Sequence, residues 1–269
     1  MSGTAPGTNI PIAGLANLRD LGGWPVGDGR RVRRGLLFRS TDLDRLDASG
    51  LATIGALRLR TVIDLRTAAE RRDKPDRDPP GAAGVVCDVL GDAPDAAPAQ
   101  LPRIMADPAN AGAILGGGKA VALFEHGYRE IVALPSAVAA YRAFVALLAD
   151  PDRRPLLFHC STGKDRTGWA AAITLTLLGV SADDISRDYL LTNDQLLPAL
   201  RPVLDRFAAA GGDPALLGPV LGVQSCYLEA AYDEARLRYG SMEGYLAEGL
   251  RISDDLRRRL REDLTEEAA

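Results

Sequence analysis

The feature that most constrains the fold is the stretch from residue 154 to 179, where an apolar run, a turn of small residues and a second apolar segment follow one another. RPLLFHC, at 154–160, has the length and apolar character of a buried strand. DRTGWAAAITLTLLG, at 165–179, has the spacing of a helix, with Gly179 placed to end it. A strand that turns directly into a helix is the repeating unit of α/β proteins, so the stretch predicts that fold class.

The rest of the chain extends this alternation of strands and helices. Short strands are predicted at 36–40, 60–66 and 85–90. Helices are predicted over 41–58 and 121–148, the second interrupted near Pro135, where Ser136 is a candidate helix cap. The charged connection 68–84 is predicted as loop, and the segment 91–119, rich in alanine, proline and glycine, as mobile.

The last third of the chain has an almost wholly helical pattern. It covers about 183–262 and is broken at 211–214 and at Gly240. We therefore expect a central, mostly parallel sheet flanked by helices, in one domain that spans 1–269. The helical C-terminal part either continues this domain or caps it.

Composition excludes several function classes. The 269 residues suffice for a substantial core, and a net charge of −4 does not indicate a nucleic-acid partner. Three cysteines and two histidines are too few and too scattered for a disulfide framework or a zinc site. We therefore expect no metal and no cofactor, and a reducing compartment.

The N-terminal residues MSGTAPGTNIPIAGLANL lack the basic and apolar regions of a signal peptide. No apolar run approaches the roughly 20 residues of a membrane-spanning helix. The expected protein is soluble and cytoplasmic, without an integral membrane segment, although export without a leader remains open. Its oligomeric state is not indicated by the sequence.

The loop HCSTGKDRTG, at 159–168, has the composition of an anion-binding turn. Cys160 falls at the end of the predicted strand, where the following helix presents free N–H groups. The small residues Ser161, Thr162 and Gly163 allow consecutive backbone amides to face an anion. The planar guanidinium of Arg166, six positions after the cysteine, suits two phosphate oxygens at once.

These surroundings favour the thiolate of Cys160, which can attack phosphorus and form a phosphocysteine. Thr167 is placed to donate its hydroxyl to the thiolate, and His159 to orient the loop through ring hydrogen bonds. A free cysteine is most often an inert core residue, but Gly163 and Arg166 at these spacings argue against that reading. Cys87 and Cys226 have no such neighbours and are expected to pack in the structure.

HCSTGKDRTG resembles the HCx5R[ST] loop of the cysteine-dependent protein tyrosine phosphatase superfamily. Its HCxxGKDRTG form resembles bacterial tyrosine phosphatases with dual-specificity and phosphoinositide activity. The segments NLRDLGG, GLLFRSTDLDRL, VIDLRTAAER, DYLLTND and YGSMEGYL also resemble family landmarks, in family order. The resemblance implies a tyrosine phosphatase-like fold, a C-terminal lid of two helices, and phosphorylated proteins or phosphoinositides as substrates.

Hydrolysis of a phosphate ester also needs an acid for the leaving oxygen. Asp165 lies in the loop, and the resemblance implies that it is catalytically required. Asp92, with Asp88 and Asp95 nearby, lies where the superfamily's separate acid loop is expected. Asp165 is the favoured acid and Asp92 its rival; helix-dipole complementation and solvation of a loop are the simpler alternatives for the two residues.

The remaining candidates surround the loop. Lys164 is expected at its rim as a second positive charge, which suits substrates with more than one phosphate. By resemblance, Asp64, Arg66 and Glu70 hold the loop or contact substrate, and a structural salt bridge is an equal alternative. The start of the domain is expected to be stabilised by Asn17, Arg19 and Asp20.

The leading hypothesis is therefore a metal-free, cysteine-dependent phosphatase that acts on phosphotyrosine, with phosphoserine, phosphothreonine and phosphoinositides as additional substrates. Sulfur transfer and arsenate reduction also use a cysteine in an oxyanion loop. Sulfurtransferase loops do not require an arginine followed by threonine at this spacing, and arsenate reductases usually have resolving cysteines close by. A non-catalytic phosphate-binding module would have lost the cysteine, the arginine or the acid, and this chain keeps all three.

Overall fold

The computed structural model describes residues 5–93 and 107–268, apart from the side chain of Ala109. A sheet of five strands lies at the centre and includes strands that overlap the four predicted ones, at 36–40, 60–66, 85–90 and 154–160. Its members are β1 (Arg19–Asp20), β4 (Leu37–Ser40), β5 (Thr61–Asp64), β6 (Ala83–Val86) and β7 (Leu156–His159). The strand order is β1-β4-β7-β5-β6, and every pairing is parallel except the one between β1 and β4. The predicted α/β class with a mostly parallel sheet is confirmed.

A smaller antiparallel sheet joins the two ends of the chain. It consists of β2 (Pro25–Val26), β3 (Arg30–Val32) and β8 (Thr265–Glu267), with β3 in the middle. Strand β8 was not predicted, because its sequence TEE follows a helical pattern without a turn residue. Its pairing partner β3 lies more than 230 residues earlier in the chain.

The described residues contain ten helices. They are α1 (Ala48–Gly55), α2 (Ala68–Asp73), α3 (Ala111–Leu115), α4 (Lys119–Ala133), α5 (Pro135–Ala149), α6 (Asp165–Leu178), α7 (Ala182–Ala209), α8 (Gly218–Leu221), α9 (Ser225–Tyr239) and α10 (Asp254–Leu264). Short helical turns are found at Pro108–Asn110, Pro151–Arg153, Pro214–Leu217 and Met242–Gly244, with a π-helical turn at Tyr245–Gly249. Helix α6 ends at Leu178, immediately before Gly179, as predicted.

Three local predictions differ from the structure. The connection 68–84 is not all loop, since α2 begins with a capping box between Thr67 and Glu70. The edge strand β6 covers 83–86 and ends before the buried residues Cys87 and Val89 of the predicted strand 85–90. The segment 91–119 was predicted as mobile. Its residues 94–106, which include Asp95, lie outside the described residues, and the remainder contains α3.

Side chains of the central strands alternate between two apolar cores. Phe38, Val62 and Leu157 face one core, which also contains Leu18 and Leu46. The larger core lies on the opposite face and is built from β-strand residues together with helices α4, α5, α6 and α9. Its members include Leu37, Ile63, Phe158, Tyr141, Phe144, Trp169, Tyr227 and Leu228. This packing covers both faces of the sheet and leaves the carboxyl ends of the strands to form a site.

The helical C-terminal part is not a separate layer. Helices α9 and α10 contribute Tyr227, Leu228 and Leu260 to the larger core. A third apolar cluster, called the lid cluster below, is separate from that core. Its buried members are Ala111, Leu115, Ala120, Phe207, Leu217, Val220 and Leu221.

Within residues 5–93 and 107–268, no single helix has the length and apolar character needed to cross a membrane. Helices α4 and α5 would meet that test only if counted together, and a bend of 63° separates them.

Candidate active site

Cys160 directly follows β7, the middle strand of the sheet, and is 1% exposed. In the parallel register, His159 lies beside Ser40 on one neighbouring strand and beside Asp64 on the other. Three strand ends therefore meet around the cysteine. This is the position at which open α/β sheets bind ligands.

The loop turns sharply at Gly163, whose φ is +64°. A Cβ atom at this position would lie 2.2 Å from the carbonyl oxygen of Ser40. The carbonyl oxygen of Gly163 accepts hydrogen bonds from Asn17 Nδ2 and Arg39 Nη2, both at 2.9 Å. Only glycine fits here, and two side chains distant in sequence fix the direction of its peptide group.

The backbone amides of the loop are free to bind a ligand. Within the described parts of the chain, no N–H group from Ser161 to Lys164 donates to a protein acceptor. The carbonyl oxygen of Ser161 is occupied, since it accepts from the backbone N–H of Asp42 at 3.2 Å. Consecutive free amides at the start of α6 form the kind of nest that binds an anion.

Arg166 is held by Glu70 through a bidentate ion pair. The distances are 2.7 Å from Nη1 to Oε2 and 2.6 Å from Nη2 to Oε1. Ser161 Oγ donates to the same carboxylate at 2.5 Å. Glu70 is itself fixed by the capping box of α2, so this short helix positions the arginine. The T-x-x-E pattern of 67–70 signals such a cap in the sequence, but 68–84 was predicted as loop.

The substitution Glu70→Gln is expected to lower the free energy of unfolding by about 2 kcal/mol at pH 7, because it leaves a buried guanidinium without its counter-charge. Burial alone would raise the pKa of Glu70, but Arg166 and Ser161 hold it well below its ordinary value of 4.5. The stabilisation is therefore complete above about pH 4.5 and decreases as the pH falls further. Urea unfolding at pH 7 and pH 3 should show the variant approaching wild type at the lower pH.

The control for this measurement is Glu266→Gln, since the ion pair of Glu266 with Arg31 lies at the surface. That change should alter the free energy of unfolding by at most about 0.5 kcal/mol. Equal losses in the two variants would show that Glu70 does not stabilise the loop.

Asp165 Oδ1 accepts two hydrogen bonds, from Tyr128 Oη at 2.9 Å and from Lys164 Nζ at 3.1 Å. Tyr128 Oη also lies 2.7 Å from Tyr189 Oη. Burial and the charge of Asp165 raise the pKa of Tyr128 well above its usual range, so its phenol remains a donor. The carboxylate, which is about one-quarter exposed, is thus held in the loop beside the anion-binding amides.

Lys164 is not at the rim of the loop, contrary to the prediction. It is 3% exposed, and its Nζ donates to the carbonyl oxygen of Gly222 at 3.2 Å. The same ammonium lies 4.1 Å from the centre of the Phe124 ring, a cation–π distance. Its contacts with Gly222 and Phe124 come from elements far along the chain, which composition and spacing do not indicate.

Asp92 is placed at the N-terminus of α5. Its carboxylate accepts from the backbone N–H of Ser136 at 2.7 Å, and Ser136 Oγ lies 3.2 Å from the backbone nitrogen of Asp92. Ser136 is therefore not the helix cap that was predicted; its amide is capped by Asp92. Within 5–93 and 107–268, no hydrogen bond or ion pair links Asp92 to the loop from Cys160 to Arg166.

Arg66 and its acidic partners form a buried network beside the loop. The guanidinium donates to both oxygens of Asp64 and lies 2.6 Å from Asp76 Oδ2. His159 Nδ1 donates to the carbonyl oxygen of Cys160 at 3.2 Å. Its Nε2 is 3.2 Å from Asp76 Oδ2, close enough for an ion pair but not aligned for a hydrogen bond. Asp64 and Arg66 thus form the salt bridge that was one of the two alternatives for them.

Among the described residues, one group has potential metal-ligating atoms close together, namely Asp64, Asp76 and His159. Both carboxylates already bond Arg66, whose guanidinium occupies the position of a cation. This group therefore fits an internal salt bridge better than a metal centre.

Thr162 and Thr167 lie in the loop and in the first turn of α6 that follows it. Thr167 Oγ1 is fully buried and has no hydrogen-bond partner within the described residues. Tyr141 Oη donates to the carbonyl oxygen of Arg166 at 3.0 Å and fixes the first turn of α6. Thr162 is half-buried in the loop. Asn17, Arg39, Asp76, Tyr128 and Tyr189 were not expected to contact the loop or its neighbours, because they lie far from it in sequence.

Comparisons with known proteins show which family the chain is similar to. A model of the tyrosine phosphatase family matches residues 10–266. A Cupriavidus necator protein called "Putative tyrosine-protein phosphatase H16_A0669" is 33% identical over 239 residues, which are 88% of this chain and 82% of that protein. A Mycobacterium tuberculosis protein called "Triple specificity protein phosphatase PtpB" is 32% identical over 259 residues, covering 87% of this chain and 91% of that protein.

The family match extends over nearly all the chain and includes the strand, loop and helix that carry Cys160 and Arg166. The predicted resemblance is thereby confirmed. The chain belongs to the tyrosine phosphatase family and has the enzyme class of a protein tyrosine phosphatase.

Proposed function

We propose that the whole chain acts as one phosphatase domain that hydrolyses phosphate monoesters through a phosphocysteine on Cys160. One observation carries the proposal: among the described residues, the amides from Ser161 to Lys164 have no protein acceptor, and they lie between the buried cysteine and Arg166. This arrangement supports binding of three phosphate oxygens opposite a sulfur nucleophile.

In the first step, the thiolate of Cys160 attacks phosphorus and the bond to the ester oxygen breaks. Asp165 gives its proton to that oxygen, which leaves as an alcohol or phenol. In the second step, water attacks phosphorus, its proton passes to Asp165, and the phosphorus–sulfur bond breaks. The buried hydroxyl of Thr167, which has no hydrogen-bond partner in the part of the chain that the structure describes, stabilises the departing thiolate.

Asp165 is the proposed acid because it shares the loop with the nucleophile. Tyr128 and Lys164 both donate to Oδ1 of Asp165 and hold the carboxylate in place. Neither of these two hydrogen bonds occupies Oδ2. Asp92 is less suited, because its carboxylate caps α5. Glu70, whose pKa lies far below its ordinary value, serves as a permanent anion that aligns Arg166.

We propose phosphotyrosine as a substrate, together with phosphoserine, phosphothreonine and phosphoinositides. Support for this range comes from the similarity to the protein named a triple specificity phosphatase and from a second cation in the loop, Lys164, which contacts Asp165. Lys164 can reach a second phosphate only after its contact with the carbonyl oxygen of Gly222 breaks.

The test is release of phosphate from p-nitrophenyl phosphate in the presence of a chelator, for wild type and Cys160→Ser. Activity of the wild type and loss in the variant are expected. A wild type without activity, or a fully active variant, would reject the proposal. A panel of phosphopeptides and phosphoinositides, each assayed under the same conditions, then decides the substrate range.

We further propose that the lid cluster, and not all of 183–262, forms the lid. Its residues pack with one another apart from the larger core, and the segment beyond it supplies the Gly222 carbonyl that holds Lys164. A deletion of residues 200–236 would be a poor test of the lid, because it would also remove core residues such as Tyr227. A single substitution inside the cluster is more selective.

The substitution Phe207→Ala is expected to speed alkylation of Cys160 by N-ethylmaleimide about tenfold or more, because it empties the centre of the lid cluster. Leu260→Ala, a truncation in the larger core, is the control and should lower overall stability without this acceleration. Unchanged alkylation kinetics in Phe207→Ala would contradict the lid assignment. Peptide mapping assigns the modified cysteine.

A further inference from the structure

A buried cluster of two arginines and one aspartate contacts the loop from within the protein. Arg19, Arg39 and Asp188 are each at most 1% exposed. Arg19 Nε lies 2.9 Å from Asp188 Oδ1, and Arg39 Nη1 lies 2.7 Å from Asp188 Oδ2. Across the described residues, no second carboxylate contacts either guanidinium, so two positive charges share one negative charge.

Arg39 is the cluster member that touches the loop through a charged group. Its Nη2 donates to the carbonyl oxygen of Gly163 at 2.9 Å. The same atom would lie 3.8 Å from a Cβ at Gly168, which places the guanidinium against the first turn of α6. Arg39 therefore lies behind the anion-binding amides, at the end of the neighbouring strand β4.

Burial and the charge of Arg19 lower the pKa of Arg39 to about 10, while Asp188 and the thiolate of Cys160 act in the opposite direction. The residue is still positively charged near neutral pH. The thiolate of Cys160 is thus close enough to act on the charge of Arg39.

A net positive charge is costly in a protein interior unless an anion lies nearby. The one place next to Arg39 that is built for an anion is the nest of free amides from Ser161 to Lys164, judged over the described residues. A phosphate monoester brings two negative charges to that nest. The excess positive charge of the two arginines is therefore better compensated when a phosphate is bound in the loop than when none is bound.

We propose that Arg39 is a positioning residue of the phosphatase site, whose buried charge, only half-compensated by Asp188, favours doubly charged phosphate groups in the loop. It acts through the peptide group of Gly163 and through its electric field, whereas Arg166 contacts the substrate. The inference rests on the proposed function and adds to it a preference for phosphate monoesters over esters that carry a single charge.

The test compares two reagents that alkylate the same thiolate but differ in charge, iodoacetate and iodoacetamide. The ratio of their rates reports the local positive potential and does not depend on how much thiolate is present. The rates are measured at Cys160 by peptide mass, with the half-buried Cys226 as an internal reference. Inhibition by inorganic phosphate is measured in parallel.

Arg39→Met should lower the iodoacetate-to-iodoacetamide ratio at Cys160 at least about threefold and weaken inhibition by phosphate about tenfold. Arg39→Lys keeps the charge and should hold the ratio within about twofold of wild type. The matched control is Arg142→Met, since Arg142 also donates to backbone carbonyls, those of Gly249 and Leu250, away from the loop. That control should lose stability without a change in the ratio.

A wild-type ratio in folded Arg39→Met would overturn the inference. An equal fall in Arg39→Met and Arg39→Lys would overturn it as well, because shape and not charge would then be responsible. If Arg39→Met does not fold, the inference is tested with Arg39→Lys alone. A fall of more than about twofold in the iodoacetate-to-iodoacetamide ratio of that variant then counts against the inference. Failure of the proposed function is recognised separately, as a wild-type enzyme that does not hydrolyse p-nitrophenyl phosphate.

Discussion

The substitution Asp165→Asn is expected to lower kcat for phosphotyrosine about a hundredfold or more, because an amide cannot protonate the leaving oxygen. The amide retains the size of the carboxylate and an oxygen for Tyr128 and Lys164, so binding should change little. The loss should be smaller for p-nitrophenyl phosphate, whose leaving group needs less protonation. Steady-state kinetics with both substrates measure this difference.

Asp92→Asn is the matched control, since it makes the same chemical change in the rival acid. Its carboxylate caps α5, so the expected result is a loss of at most about 1 kcal/mol in stability and nearly unchanged kcat. A hundredfold loss in Asp92→Asn with an active Asp165→Asn would reverse the assignment of the acid.

The substitution Gly163→Ala is expected to cost about 3 kcal/mol or more and to remove activity. Its Cβ would lie 2.2 Å from a backbone oxygen of β4, an atom that cannot rotate away. Relief would require movement of the loop and loss of the bonds from Asn17 and Arg39 to the Gly163 carbonyl. Urea unfolding and phosphate release from p-nitrophenyl phosphate measure the two effects.

Gly211→Ala separates the steric clash from backbone strain. Gly211 has a φ of +88°, but a Cβ there would meet nothing within 4 Å. The expected cost is about 1 kcal/mol, with activity retained. If Gly163→Ala were as mild as Gly211→Ala, the close packing of the loop against β4 would be wrong.

The contiguous part of the site could be predicted from the sequence. The strand, the cysteine, the small-residue turn, Arg166 and the helix follow one another within 155–179, and each has its own local signal. The parallel sheet also followed from local patterns, because β4, β5 and β7 are short apolar runs with polar ends. Apart from the buried position of Lys164, the structure places these residues on the strand, turn and helix that their spacing along the chain predicts.

The groups that hold the loop could not be predicted in the same way. Arg39 reaches it from a strand and Tyr128 from a helix, and these elements are adjacent only in the folded protein. Asp188, on a second helix, holds Arg39 in place. The buried position of Lys164 likewise depends on Phe124 and Gly222, which composition does not connect to it. Glu70 was named as a candidate, but its bidentate ion pair with Arg166 depends on α2, which lies in a segment predicted as loop.

In the proposed mechanism, Cys160 carries the phosphoryl group during turnover. Wild-type enzyme should be mixed with p-nitrophenyl phosphate, quenched in acid during turnover and digested, and the peptide that contains Cys160 analysed by mass spectrometry. We predict the added mass of one phosphoryl group on Cys160 and none on Cys87 or Cys226. Phosphate release without any phosphoryl group on Cys160, together with an active Cys160→Ser enzyme, would contradict the mechanism.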